Sequence, residues 1–228
     1  MSIPDNLKQL RQAIDAAAEK YHRLRGSVKL LAVSKQHRIE KIRMAYAAGQ
    51  TCFGENYLQE ALPKIAALQD LAIAWHFIGR IQSNKTAQIA AHFSWVHSVD
   101  RLSIAQRLDV QRPAHLPPLN ICLEVNVSAQ ETKAGLPPEK VEALAHAILP
   151  LKNIRVRGLM AIPKPTSLFA EQVRCYQQVQ EIQQRLCAQG LELDTLSMGM
   201  SGDFIAAIAA GSTLVRLGTA IFGQRNSF

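Results

Sequence analysis

Lys35 stands directly behind an apolar run, Leu30-Leu31-Ala32-Val33-Ser34. A long amine at the mouth of a strand, partly desolvated and near a fixed cation, is a nucleophile toward an aldehyde. Arg216, inside TLVRLG (213–218), is a candidate for that cation. Two turns of small residues follow late in the chain, GMSGD (199–203) before FIAAIAAG and GTA (218–220) before IFG. Small residues let a backbone approach an anion, and free N–H groups at a helix start attract it. On adjacent strands the two turns point to phosphate. Each residue alone also has a plainer reading. Lys35 could simply end a strand at the surface, Asp203 cap a helix, Gly218 serve a turn, and Arg216 pair with a carboxylate.

These groups need a scaffold that brings distant positions together. Eight short runs read as strands: VKLLAVS (28–34), TCFG (51–54), AWHFIG (74–79), SWVHSV (94–99), NICLEVNV (120–127), NIRVRGLMA (153–161), TLSMG (195–199) and TLVRLG (213–218). Amphipathic stretches separate them, such as IEKIRMAYAAG (39–49), PEKVEALAHAIL (138–149) and LFAEQVRCYQQVQEIQQRLCAQG (168–190). Seven of the strands are followed by readable helices. A leading helix carries Ile3, Leu7, Leu10, Ile14, Ala17, Tyr21 and Leu24 on one face, with Ser2 as cap, Pro4 in its first turn and Gly26 as its end.

Alternating strands and helices mean a parallel sheet, and eight units close a (β/α)8 TIM barrel, here an α/β fold with an extra N-terminal helix. The first strand–helix turn, VSKQHR, carries no GxGxxG, which removes support from an open dinucleotide-binding sheet. No Pro/Gly/Ser linker divides the chain, so residues 1–228 are expected to form one domain.

A barrel keeps its site where the strands end. Read that way, the exits are Ser34-Lys35, Gly54-Glu55-Asn56-Tyr57, Gly79-Arg80, Asp100-Arg101, Asn126, Met160, GMSGD and Arg216-Leu217-Gly218-Thr219. Closure makes the first and eighth strands neighbours. A phosphate at the last two exits and an aldehyde reaching Lys35 describe pyridoxal 5′-phosphate (PLP), held as a Schiff base. Arg216 would face the pyridine nitrogen. Arginine accepts no proton, so that nitrogen would stay unprotonated and the electron sink would weaken.

The blocks LLAVSK (30–35), FGENYLQE (53–60), WHFIGRIQSNK (75–85), RGLMAIP (157–163), LSMGMSGD (196–203) and VRLGTAIFG (215–223) closely resemble the PLP homeostasis protein family (the YggS/PROSC type) over nearly the whole chain. That family's fold is like the N-terminal barrel domain of alanine racemase. The resemblance implies Lys35 as the Schiff-base lysine, Ser201, Gly218 and Thr219 at the phosphate with Met200 in the same loop, Arg216 at the ring nitrogen and Asn56 beside the cofactor. It implies an accessory role for Lys133, in ETKAG, in transferring or holding PLP. It implies vitamin B6 homeostasis rather than catalysis. Gly202 departs from the pattern, since many relatives carry Asp there.

His76 and Tyr57 are further accessory candidates. A strand histidine such as His76 also suits a packed barrel layer. His92, His97, His115 and His146 are too scattered for a metal set.

Composition narrows the classes. The chain of 228 residues is 48% hydrophobic and 19% charged, enough for a core and unlike a disordered tract. No apolar run approaches the ~20 residues of a membrane helix, and the N-terminus lacks a signal-peptide core. Four cysteines without a close pair read as reduced thiols of a cytoplasmic protein. The net charge of +8 is scattered and aromatics are few, so a nucleic-acid stripe is not expected. Two functions are weighed: a PLP carrier or buffer passing cofactor to apoenzymes, which the weak electron sink and the lack of a second base favour, and, as the alternative, an amino-acid racemase. A racemase needs a base on each face of the substrate carbon. Lys35 supplies one, and Tyr57 is the tyrosine near a strand exit. Without the racemase's second domain, a monomer is expected.

Overall fold

The computed structural model describes residues 2–128 and 134–224; Lys133 lies outside the described residues. Eight parallel strands close a barrel in sequence order: β1 (Lys29–Val33), β2 (Cys52–Glu55), β3 (Ala74–Phe77), β4 (Trp95–Val99), β5 (Leu119–Val125), β6 (Ile154–Ala161), β7 (Thr195–Ser197) and β8 (Leu214–Leu217). The seam is β1 against β8, with Leu31 opposite Arg216 and Ala32 opposite Leu217. This is the (β/α)8 barrel expected from the alternation.

Helices α1 (Ile3–Lys20), α2 (Ile39–Ala47), α3 (Leu58–Ala67), α4 (Thr86–His92), α5 (Leu102–Val110), α6 (Val141–Ile148), α7 (Phe169–Ala188), α8 (Phe204–Ala209) and α9 (Thr219–Phe222) surround it. The sequence pattern misses the helix after β8, because α9 is a single turn. The extra helix α1 packs on α2, α8 and α9 and covers the barrel wall that so short a helix leaves bare. Ser2 and Asp5 form a reciprocal capping box at its start.

The end of α1 differs from expectation. Tyr21 caps it, and the Arg23 amide donates to Ala18 O at 2.9 Å while His22 adopts φ +56°. This is the closure a C-terminal glycine normally provides, made here by a histidine. Gly26 belongs to the next turn, and Leu24 is exposed rather than on the buried face.

Strand boundaries differ from the sequence reading by one or two residues: β3, β5 and β7 each end two residues early, where the run passes into the exit loop, while β2 runs one residue further, to Glu55. Alternate residues point into the barrel. The β6–β7 contact is tight: a Cβ on Gly158 would lie 1.7 Å from Thr195 O. All four cysteines are free, and among the described residues no group of His, Cys, Asp or Glu could hold a metal. No described helix is long and apolar enough to cross a membrane.

Candidate functional site

Two-residue periodicity sends Val33 and Lys35 to the same side of β1, and Arg216 and Gly218 to the same side of β8. All four line one cavity of about 310 Å³ at the C-terminal mouth of the barrel. Asn56, Met200, Ser201, Gly202 and Thr219 join them there, with Ile78, Ile162 and His37 completing the walls. Seven of the ten residues singled out from sequence therefore meet in one place. Such a volume is at the lower end of small-molecule sites, roughly 300–1,000 Å³.

The β7–α8 turn is shaped by Gly199 and Asp203. Gly199 has φ +97°, and a Cβ there would lie 2.6 Å from Ala207 Cβ. Asp203 occupies the N-cap position of α8 but does not cap it. Its carboxylate instead accepts the Met200 amide at 2.6 Å and the Tyr176 hydroxyl at 2.9 Å. The Met200 N–H is thereby used, whereas the amides of Ser201 and Gly202 donate to nothing among the described residues. Gly202 itself is unconstrained, with nothing within 4 Å of a Cβ built on it. Gly218 is different: its Cβ would approach Val33 O at 2.9 Å across the β1–β8 seam. The Asn56 Oδ1 atom is buried without a partner, an acceptor left for a ligand in the cavity.

Arg216 is 4% exposed. It donates to Ser197 O, to Ser197 Oγ at 2.8 Å and to Ala161 O at 3.0 Å. Among the described residues none of its hydrogen bonds goes to a carboxylate, so the ion-pair alternative does not hold. Burial lowers its pKa, opposed by the nearby Tyr176, Asp203 and Glu124.

The Ser197 hydroxyl continues a buried chain: His97 Nδ1 lies 2.7 Å from it, and His97 Nε2 lies 2.8 Å from His76 Nδ1. Burial pushes His76 down to about 3, with Lys29 adding to the shift. Burial likewise holds His97 well below the ordinary histidine value, with His76 and Arg216 adding to it. Both rings are neutral near pH 7. His76 is thus a layer residue beneath the cavity and does not line it. Tyr57 is 54% exposed and lines the neighbouring groove of Arg80, Lys85 and Arg101. Following Asn56 in extended backbone, it points the other way.

Sequence reasoning passed over three groups. His37 lines the cavity and packs on Phe222, ring centroids 4.9 Å apart. Glu124, on the buried β5, is pushed up to about 7 by burial and by Asp100, with Arg216 and Arg80 opposing. Glu55 and Lys64 form a buried ion pair at 2.8 Å beside Ser34. The visible signals were a lone acid within NICLEVNV and a lysine on the Leu58–Ala61 stripe of α3.

The family model for the N-terminal domain of alanine racemase matches residues 5–226. The pyridoxal phosphate homeostasis protein of Pseudomonas aeruginosa is 55% identical over 225 residues, 99% of this chain and 96% of that protein. PipY of Synechococcus elongatus, solved with PLP bound, is 38% identical with a TM-score of 0.85, covering 97% of this chain and all of that one. Alanine racemase from Corynebacterium glutamicum shares the fold at 18% identity and a TM-score of 0.70, and the match covers 61% of its length. A barrel matched end to end at this identity belongs to the alanine racemase N-terminal domain family and, within it, to the pyridoxal phosphate homeostasis proteins.

Proposed function

We propose that this protein binds PLP and serves intracellular vitamin B6 homeostasis as a carrier or buffer, without catalysing a reaction. The observation that carries the reading is that the Lys35 amine, the open amides of Ser201 and Gly202 and the Arg216 guanidinium line one cavity. The residues present fit the cofactor. Gly218 lets the β8–α9 turn approach Val33 more closely than any side chain would allow, and Asn56 Oδ1 offers a buried acceptor. When bound, PLP supplies an aldehyde for covalent attachment. Lys35 provides the amine, Ser201, Gly202, Gly218 and Thr219 take the phosphate with Met200 beside them, Arg216 faces the ring nitrogen and Asn56 flanks the ring.

A racemase would need a second base opposite Lys35. Tyr57 lines a different groove, which favours the carrier. Lys133 would assist transfer to recipient apoenzymes. We read residues 1–228 as one PLP-binding unit, working as a cytoplasmic monomer that needs neither nucleic acid nor membrane.

The test is the visible spectrum of the purified protein, before and after PLP addition and borohydride reduction, beside Lys35→Ala. A Schiff-base band that reduction fixes covalently, and that the variant lacks, is the expected result. A protein that PLP cannot colour would overturn the reading.

A further inference from the structure

The backbone on both sides of Lys35 is held by charged residues of β2 and α3. On one side, Lys64 Nζ donates to the Ser34 carbonyl at 2.9 Å and to Glu55 Oε1 at 2.8 Å. The Ser34 hydroxyl donates to the same carboxylate oxygen at 2.6 Å. On the other side, the Gln36 amide donates to Glu60 Oε2 at 2.9 Å. Glu60 and Lys64 lie four residues apart on α3 and so share one face. The result is a clamp around a single residue.

The cost of this arrangement makes its position informative. Glu55 is 0% and Lys64 8% exposed. Taking two charges out of water costs several kcal/mol per ion, and an apolar pair of similar volume is often as stable. Burial raises the Glu55 pKa, while Lys64 and Ser34 hold it down, so the carboxylate depends on this one cation. Stability alone therefore gives little reason for the pair. Its hydrogen bonds end on the carbonyl of the peptide that joins Ser34 to Lys35.

We propose that Glu55 and Lys64 are positioning residues for Lys35, fixing that peptide so that the amine enters the cavity aimed at the aldehyde carbon. The inference rests on Lys35 being the attachment point. In the step concerned, the neutral amine nitrogen bonds to the aldehyde carbon, and the carbonyl oxygen leaves as water with the two amine protons, giving C=N with no change in redox state. Glu55 and Lys64 form and break no bond in it.

The experiment compares the full chain with Lys64→Met, the double variant Glu55→Gln/Lys64→Met, and Lys35→Ala. PLP is the probe. Attachment is followed as the rise of the visible band across PLP concentrations, and stability by urea unfolding. Lys64→Met should lower the maximal attachment rate about tenfold or more, the scale of a small misplacement of a reacting group, with little change in half-saturating PLP. The double variant should recover stability, since no buried charge is left alone, yet attach slowly, because the Ser34 carbonyl still lacks its donor. A double variant that attaches at the parent rate would overturn the proposal. It decides the matter even if Lys64→Met fails to fold. Covalent attachment surviving in Lys35→Ala would instead overturn the underlying reading of Lys35.

Discussion

The two flanks of the cavity are built on opposite electrostatic plans. Beside Lys35, charges are matched: Lys64 sits on Glu55, and Glu60 takes the Gln36 amide. Beside Arg216, the buried cation rests on two carbonyls and a hydroxyl, backed by the neutral rings of His97 and His76. If Lys35 is the attaching amine, as proposed, its backbone must be fixed, and the clamp holds the peptides on both sides of it. On the second, a guanidinium without a contacting carboxylate keeps its positive field for the ligand, because in a low-dielectric interior such a charge acts strongly. On the proposed reading, covalent chemistry and electrostatic selection fall to different walls.

The contrast is broken most forcefully by removing one cation from each wall. Lys64→Met leaves the Glu55 carboxylate buried alone and should cost about 3–5 kcal/mol in urea unfolding. Arg216→Met strands only neutral acceptors and also removes a buried charge, so about 1–2 kcal/mol is expected. Equal losses would mean that the two walls are not built differently.

The next largest effect concerns the phosphate side. Gly218→Ala presses a methyl to within 2.9 Å of Val33 O at the seam, and PLP affinity should fall about a hundredfold, near 2.7 kcal/mol. Gly202→Ala meets open space and keeps its amide, so stability should hold and affinity should fall far less than at Gly218. Titration of the visible band separates the two. A silent Gly218→Ala would show that the seam can spread and that the close approach is not required.

The neutral histidine chain gives a smaller, pH-dependent signal. Ordinary histidine titrates near 6.5, whereas His76 is lowered to about 3 and His97 is lowered as well. The unfolded chain therefore binds more protons between those limits. The histidine contribution is complete above about pH 6.5 and is lost as pH falls toward the folded value. Glu124, raised to about 7, works oppositely: its contribution is complete below its unfolded value and lost as pH rises through 7. The informative quantity is the difference between parent and variant. His97→Leu should cost about 1–3 kcal/mol at pH 7 and reduce the acid-side slope of stability near pH 5 by about one proton. An unchanged slope would mean that His97 is already protonated in the fold.

The barrel and most of its mouth were legible because period two and strand exits are written locally in the chain. Lys35, Asn56, Ser201 and Arg216 interrupt apolar runs at positions that topology brings together. The supports were harder to read. Lys64 lies within ALPKIAA, where a lysine reads as solvated until α3 is seen to lay it over Ser34. His76 and His97 come from separate strands, and only closure of the barrel joins them to Ser197. Tyr57 was drawn in by proximity in sequence, although one step along extended backbone turns a side chain away. The end of α1 was hidden because His22 takes a conformation that a glycine usually signals.

The mildest test returns to the Lys35 wall. Gln36 carries φ +61°, is exposed, and donates its backbone amide to Glu60 Oε2. A non-glycine residue in that region is held at a cost of order 1 kcal/mol. Gln36→Gly keeps the amide and removes the Cβ conflict, though glycine adds entropy to the unfolded chain. A gain of about 0.5 kcal/mol, or 1–2 °C in Tm for a chain of this size, is expected. The attachment rate should hold, since Glu60 still grips the amide. If Gln36→Gly is more stable but attaches PLP more slowly, the strained turn itself aims Lys35, and the clamp extends one residue further than its charged members.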